Sequence, residues 1–116
     1  MLPLQLPNPT DTRAARVATM LTSNPGDRRP VRHLCRAAGC SPRTLERIYH
    51  EEVGISFARW RQQLRLMHAI RLLAEGAKVT FAALESGYST PSAFIAMFRK
   101  ALGTTPAAYF LDRPAL

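Results

Sequence analysis

Apolar residues recur along this chain at helical spacing, and strand-like alternation is absent. Ala14, Val17, Ala18 and Leu21 follow the i, i+3, i+4, i+7 rule and predict a first helix. Thr10 or Asp11 caps it, and Asn24-Pro25-Gly26 ends it. Val31, Leu34, Cys35 and Ala38 predict a short second helix closed by Gly39. Ser41 then caps a third, with Pro42 in its first turn, where a missing N–H costs nothing. The longest helix, about 56 to 74, shows one stripe of Phe57, Trp60, Leu64, Met67, Ile70 and Leu73. Thr80 is the expected cap of a short fifth helix, Thr90 with Pro91 opens a sixth, and Thr105-Pro106 starts a last one. The expected fold is all-α, with about seven helices.

The pattern repeats. Pro42, Leu45, Ile48, Tyr49, Val53 and Gly54 recur 49 residues later as Pro91, Phe94, Met97, Phe98, Leu102 and Gly103. Ahead of the turn the offset is 48, pairing Leu34, Cys35 and Gly39 with Ala82, Ala83 and Gly87. The unit is a short helix, a Gly turn and a capped second helix, which is the helix-turn-helix arrangement. The chain therefore divides into a Pro-rich linker or tail (1–10), a first helix-turn-helix subdomain (11–55), a linker helix (56–75) and a second subdomain (76–112). A helix of this length spans ~28 Å at ~1.5 Å per residue. That compares with the roughly 34–36 Å between successive major grooves on one face of DNA.

Charge gives the pattern a partner. The net charge is +8 and the pI about 10.8, the balance of a domain that binds a polyanion. The basic residues are 14 Arg against 2 Lys, and between Arg28 and Arg71 the acids are Glu46, Glu51 and Glu52. Arg presents a planar fork suited to phosphate and to guanine edges. No apolar run reaches the ~18 residues of a membrane span, and no signal peptide is visible. The expected location is the cytoplasm. Cys35 and Cys40 form no CxxC, His33, His50 and His68 are scattered, and no Gly-rich phosphate loop occurs. Neither a metal, a cofactor nor an enzyme active site is expected.

The segments "LCRAAGCSPRTLERIYHEEVGISFARWRQQLRL" and "ALESGYSTPSAFIAMFRKALGTTPAAYF" resemble the DNA-binding domain of the AraC/XylS family of bacterial transcription regulators. The likeness runs from about Asp11 to Phe110. It implies two helix-turn-helix units in adjacent major grooves of double-stranded DNA. It also implies that a longer protein carries an effector-binding or dimerising domain, with RNA polymerase as a further partner and no membrane association.

The apolar residues of the first reading helix leave Arg43, Thr44, Glu46 and Arg47 outward, as base-contacting candidates. The resemblance places Arg43, Glu46 and Arg47 where base contacts are expected. The repeat puts Ser92, Ile95 and Ala96 at matching positions of the second helix, with Ile95 and Ala96 expected to meet thymine methyls. Phosphate candidates are Ser41, Thr90, Arg61, Arg65 and Arg99. Two other readings use the same residues: a basic module docking a protein through Ile95, and a binder of acidic membranes.

Overall fold

The computed structural model describes residues 6–111, and these hold seven helices and no strand. They are α1 (Thr12–Ser23), α2 (Val31–Ala38), α3 (Pro42–Glu52), α4 (Phe57–Ala74), α5 (Val79–Glu85), α6 (Pro91–Leu102) and α7 (Pro106–Leu111). The chain forms two compact units that divide inside α4, one ending at Leu64 and the other starting at Arg65.

In the first unit α1, α2 and α3 pack on one core together with the start of α4. Ala14, Val17, Ala18 and Leu21 of α1 are buried there, as their spacing predicts, with Leu34, Cys35, Ala38, Leu45, Ile48, Tyr49, Phe57 and Trp60. Asp11 caps α1, its carboxylate accepting from the Arg13 and Ala14 N–H groups. A second clamp holds the same corner. Glu52, the last residue of α3, accepts from the Thr10 N–H at 2.7 Å, the Thr10 hydroxyl at 3.0 Å and the Asp11 N–H at 3.2 Å. These donors hold the Glu52 carboxyl below the usual carboxylate range.

The Pro-rich start reads as an extended linker, but its described part is docked. Leu6 packs against the first core, Pro9 is buried, and the Pro7 carbonyl accepts from Trp60 Nε1 at 2.9 Å. Residues 1–5 of that segment lie outside the described residues.

In the second unit α5, α6 and α7 surround Ala82, Ala83, Phe94 and Phe98, joined by Leu66 and Ala69 from α4. Helix α4 thus corrects the single stripe read from its sequence. Leu66 and Ala69 are buried while Met67 is half-buried. Each half of the helix serves its own core and turns its own set of residues to it. Helix α5 also begins earlier than Thr80, at Val79, without a side-chain cap; Val79 packs on the second core.

The repeat is visible in atomic detail. Gly39 and Gly87 sit at φ +81° and +94°, the left-handed region where a side chain would be strained. Behind each glycine the same turn closes: Cys40 N–H to Cys35 carbonyl at 3.0 Å, and Tyr88 N–H to Ala83 carbonyl at 3.1 Å. This is the six-residue bond of a Schellman turn. Leu45 and Phe94, and Tyr49 and Phe98, are fully buried pairs.

Candidate nucleic-acid interface

Helices α3 and α6 are the second helices of the two units, the elements that read DNA in this motif. Both start the same way. Ser41 Oγ accepts from the Thr44 N–H at 3.1 Å, Thr90 Oγ1 accepts from the Ala93 N–H at 3.1 Å, and proline occupies the first turn of each. Ser41 and Thr90 therefore satisfy N–H groups that would otherwise lack acceptors. Each is exposed at the helix mouth, where the backbone dipole favours an anion.

On α3, Arg43, Glu46 and Arg47 are exposed and Thr44 is half-buried. The Thr44 hydroxyl oxygen lies 3.0 Å from Ser41 Oγ as its hydrogen-bond acceptor. Arg47 Nη1 pairs with Glu51 Oε2 one turn on, at 3.4 Å, both side chains more than half exposed. Such a pair contributes roughly 0.5 kcal/mol or less, so Arg47 can leave it for a base or phosphate at little cost. Glu46, outward as its spacing predicts, also has an intramolecular partner. Its Oε2 accepts from the Phe57 N–H at 3.3 Å, the first residue of α4.

On α6, Ser92 and Ala96 are exposed, as is Arg99 in the last turn. Ile95 is the departure. It is half-buried and packs against the second core, which Tyr109 and Phe110 of α7 also cover.

The two linker-helix arginines have intramolecular surroundings. Arg61 Nη2 donates to the Asp27 and Arg29 carbonyls at 2.7 and 2.8 Å, fastening the loop before α2. Asp27, 8 % exposed, is in turn held by Arg29 at 2.7 Å, and this hydrogen-bonded guanidinium keeps its carboxyl below the usual range. Arg65 is half-buried near Tyr88, whose phenol burial pushes up to about 12 against the opposing pull of that arginine.

Sequence reasoning passed over the outer face of α2. Arg32 and Arg36 are exposed there one turn apart, opposite Leu34, Cys35 and Ala38, and α2 carries no acid. Their i, i+4 spacing was the available signal. In this motif the first helix crosses the DNA backbone. Among the described residues no group of three or more His, Cys, Asp or Glu could hold a metal ion. Burial, and then a hydrogen bond with Cys40, push the Cys35 thiol up to about 12, so it stays protonated. No described helix is long and apolar enough to cross a membrane.

Comparison with known proteins agrees with this geometry. A family profile described as "Helix-turn-helix domain" matches residues 34–111. The chain is 46% identical over 69 residues to the HTH-type transcriptional regulator NimR of Escherichia coli, covering 60% of this chain and 25% of NimR. It is 33% identical over 103 residues to the HTH-type transcriptional regulator RipA of Corynebacterium glutamicum, covering 89% of this chain and 31% of RipA. It thus spans a quarter to a third of these relatives. Among solved structures, the DNA-binding domain of the global transcriptional factor AdpA, in complex with a target DNA, matches with a TM-score of 0.78 at 30% identity. That match covers 86% of this chain and 90% of the other. The C-terminal domain of AraT, from Geobacillus stearothermophilus, shares the fold with a TM-score of 0.79 at 24% identity, over 90% and 87% of the two chains. With two helix-turn-helix units in one chain, a matching family profile and these neighbours, the protein belongs to the AraC-type helix-turn-helix family.

Proposed function

We propose that this chain is the part of a bacterial transcription regulator that binds double-stranded DNA in a sequence-specific manner, not an enzyme, with α3 and α6 in adjacent major grooves. The observation that carries the reading is the duplicated, capped second helix, with α3 bearing exposed Arg43 and Arg47 on a chain of net charge +8. Arg43, Thr44 and Arg47 are the base-contacting side chains proposed for the first unit, and Ser92 and Ala96 for the second. Ser41, Thr90 and Arg99, joined by Arg32 and Arg36 of α2, meet phosphates. Arg61 and Arg65 would reach phosphate only by giving up their internal surroundings, so they serve the scaffold first.

Because the chain spans only a quarter to a third of its relatives, effector response and dimerisation are assigned to further domains of a longer, cytoplasmic protein. RNA polymerase is the protein partner proposed for the DNA-bound state. Salt separates this reading from docking on a protein. Binding through several phosphates weakens by orders of magnitude between about 50 and 200 mM salt, whereas apolar docking barely responds. Arg47→Ala should lose discrimination at one or two base pairs, by roughly 1–3 kcal/mol for a bidentate contact. Equal loss on every sequence would reduce Arg47 to a phosphate contact.

A further inference from the structure

Glu46 of α3 and Ile95 of α6 occupy the same position of the repeated unit, at its 49-residue offset. Glu46 is tied to the helix that follows, and Ile95 to the core of its own unit. The Phe57 N–H opens α4 and has no acceptor inside that helix; Glu46 Oε2 supplies one at 3.3 Å. A carboxylate there also meets the positive end of the helix dipole. Phe57 is a fixed point, 3 % exposed, with its ring edge-on to Tyr49 at 5.2 Å. In the second unit, Ile95 packs on the core that Tyr109 and Phe110 of α7 also cover. Each following helix also has a hydroxyl cap, Ser56 Oγ accepting from the Arg59 N–H at 3.1 Å and Thr105 Oγ1 from the Ala108 N–H at 3.2 Å, so Glu46 adds an acceptor for a further N–H of α4. A hydrogen bond to the next helix in one unit and an apolar contact with the core in the other occupy the same position of the repeat.

We propose that Glu46 is a positioning residue, which sets the inclination of α3 through the α3–α4 corner and does not read a base. This rests on the DNA-binding reading. It leaves discrimination in the first unit to Arg43, Thr44 and Arg47. Cytosine N4 would be the natural partner of a reading glutamate, and a carboxylate capping α4 is turned to another task.

The test passes the unmodified chain, Glu46→Ala and Glu46→Gln through the same selection from random duplex DNA. Amide exchange at Phe57 is measured on each, at a temperature where circular dichroism shows all three folded. Glu46→Ala should select the parental consensus and bind every site more weakly by a similar factor, about three- to tenfold. Its Phe57 amide should exchange about fivefold faster, as for loss of a helix cap. Glu46→Gln, whose amide oxygen can accept the same bond, should restore affinity and protection to within about twofold. A consensus altered at one base pair in either variant, with Phe57 exchange unchanged, would make Glu46 a reader and overturn the proposal. Parental affinity in a folded Glu46→Ala would overturn it equally. An unmodified chain that selects no consensus would instead overturn the DNA-binding reading beneath it.

Discussion

Trp60→Phe should loosen the first unit and, with it, the docked start of the chain. Trp60 is the chain's one tryptophan, fully buried, with its ring edge-on to Tyr49 at 5.4 Å and its Nε1–H donated to the Pro7 carbonyl at 2.9 Å. Phenylalanine removes the donor and part of the ring. The hydrogen bond contributes ~1 kcal/mol net, and because Pro7 is exposed, water can take over its carbonyl without a further penalty. Shrinking a fully buried ring adds about 1–2 kcal/mol for the space left behind. The expected loss is about 2–3 kcal/mol, enough to lower the melting temperature of a small unit by ~10 °C or more. Deleting residues 2–8 removes the same acceptor and the Leu6 side chain but spares the ring, for about 1–2 kcal/mol. The two changes share one bond, so the deletion should cost ~1 kcal/mol less in the Trp60→Phe background. Thermal unfolding of the four proteins by circular dichroism measures this. Trp60 emission should shift to longer wavelength in the deletion alone. Costs that add within about 0.3 kcal/mol, with unchanged emission, would refute the claim that this segment is part of the fold.

Three further outcomes follow from the same structure. Arg13, chiefly through its side-chain hydrogen bond, holds the Asp11 carboxyl down at about 2, and Arg29 lowers Asp27 in the same way. Both lie below the unfolded value of about 3.9, so the unfolded state binds more protons between these values. Their contribution is present above about pH 4; that of Asp11 is lost as pH falls toward about 2, and that of Asp27 is lost as pH falls through its own lowered value. Asp11→Asn keeps a capping oxygen, and acid titration of its stability should show a shallower slope than the parent. Gly39→Ala should destabilise by about 1–2 kcal/mol in urea unfolding, from left-handed φ rather than a clash; a neutral result would place the turn elsewhere. Arg32→Ala with Arg36→Ala should weaken binding evenly on all sites and flatten the log–log salt slope by about 0.9 for each phosphate that is no longer neutralised.

What the sequence disclosed and what it hid divide along physical lines. The α1 face, the Gly turns and the Ser41 and Thr90 caps are local or periodic, and the chain writes them directly in residue type and spacing. The two cores of α4 were hidden because Phe57, Trp60, Leu64, Ile70 and Leu73 fit one stripe nearly as well as two. Glu46, Arg61 and Trp60 were harder still. Each makes a side-chain bond to a backbone group 11 to 53 residues away, and no periodicity marks such a partner. Glu46 and Arg61 are long side chains on outer helix faces, where spacing gives only the Cα direction and not where the charged end returns. Ile95 was assigned outward by alignment with Glu46; the structure leaves Glu46 exposed with a bond to the start of α4 and packs Ile95 on the second core.

Two recognition helices in one chain should read two successive major grooves. Selection of bound duplexes from a random pool by the unmodified chain, followed by methylation protection of guanine N7 in the selected sites, measures this. The expected result is one enriched consensus and two clusters of protected major-groove positions about 10 base pairs apart on one face of the DNA. A pool that stays random while the chain still binds, or a single protected cluster, would contradict it.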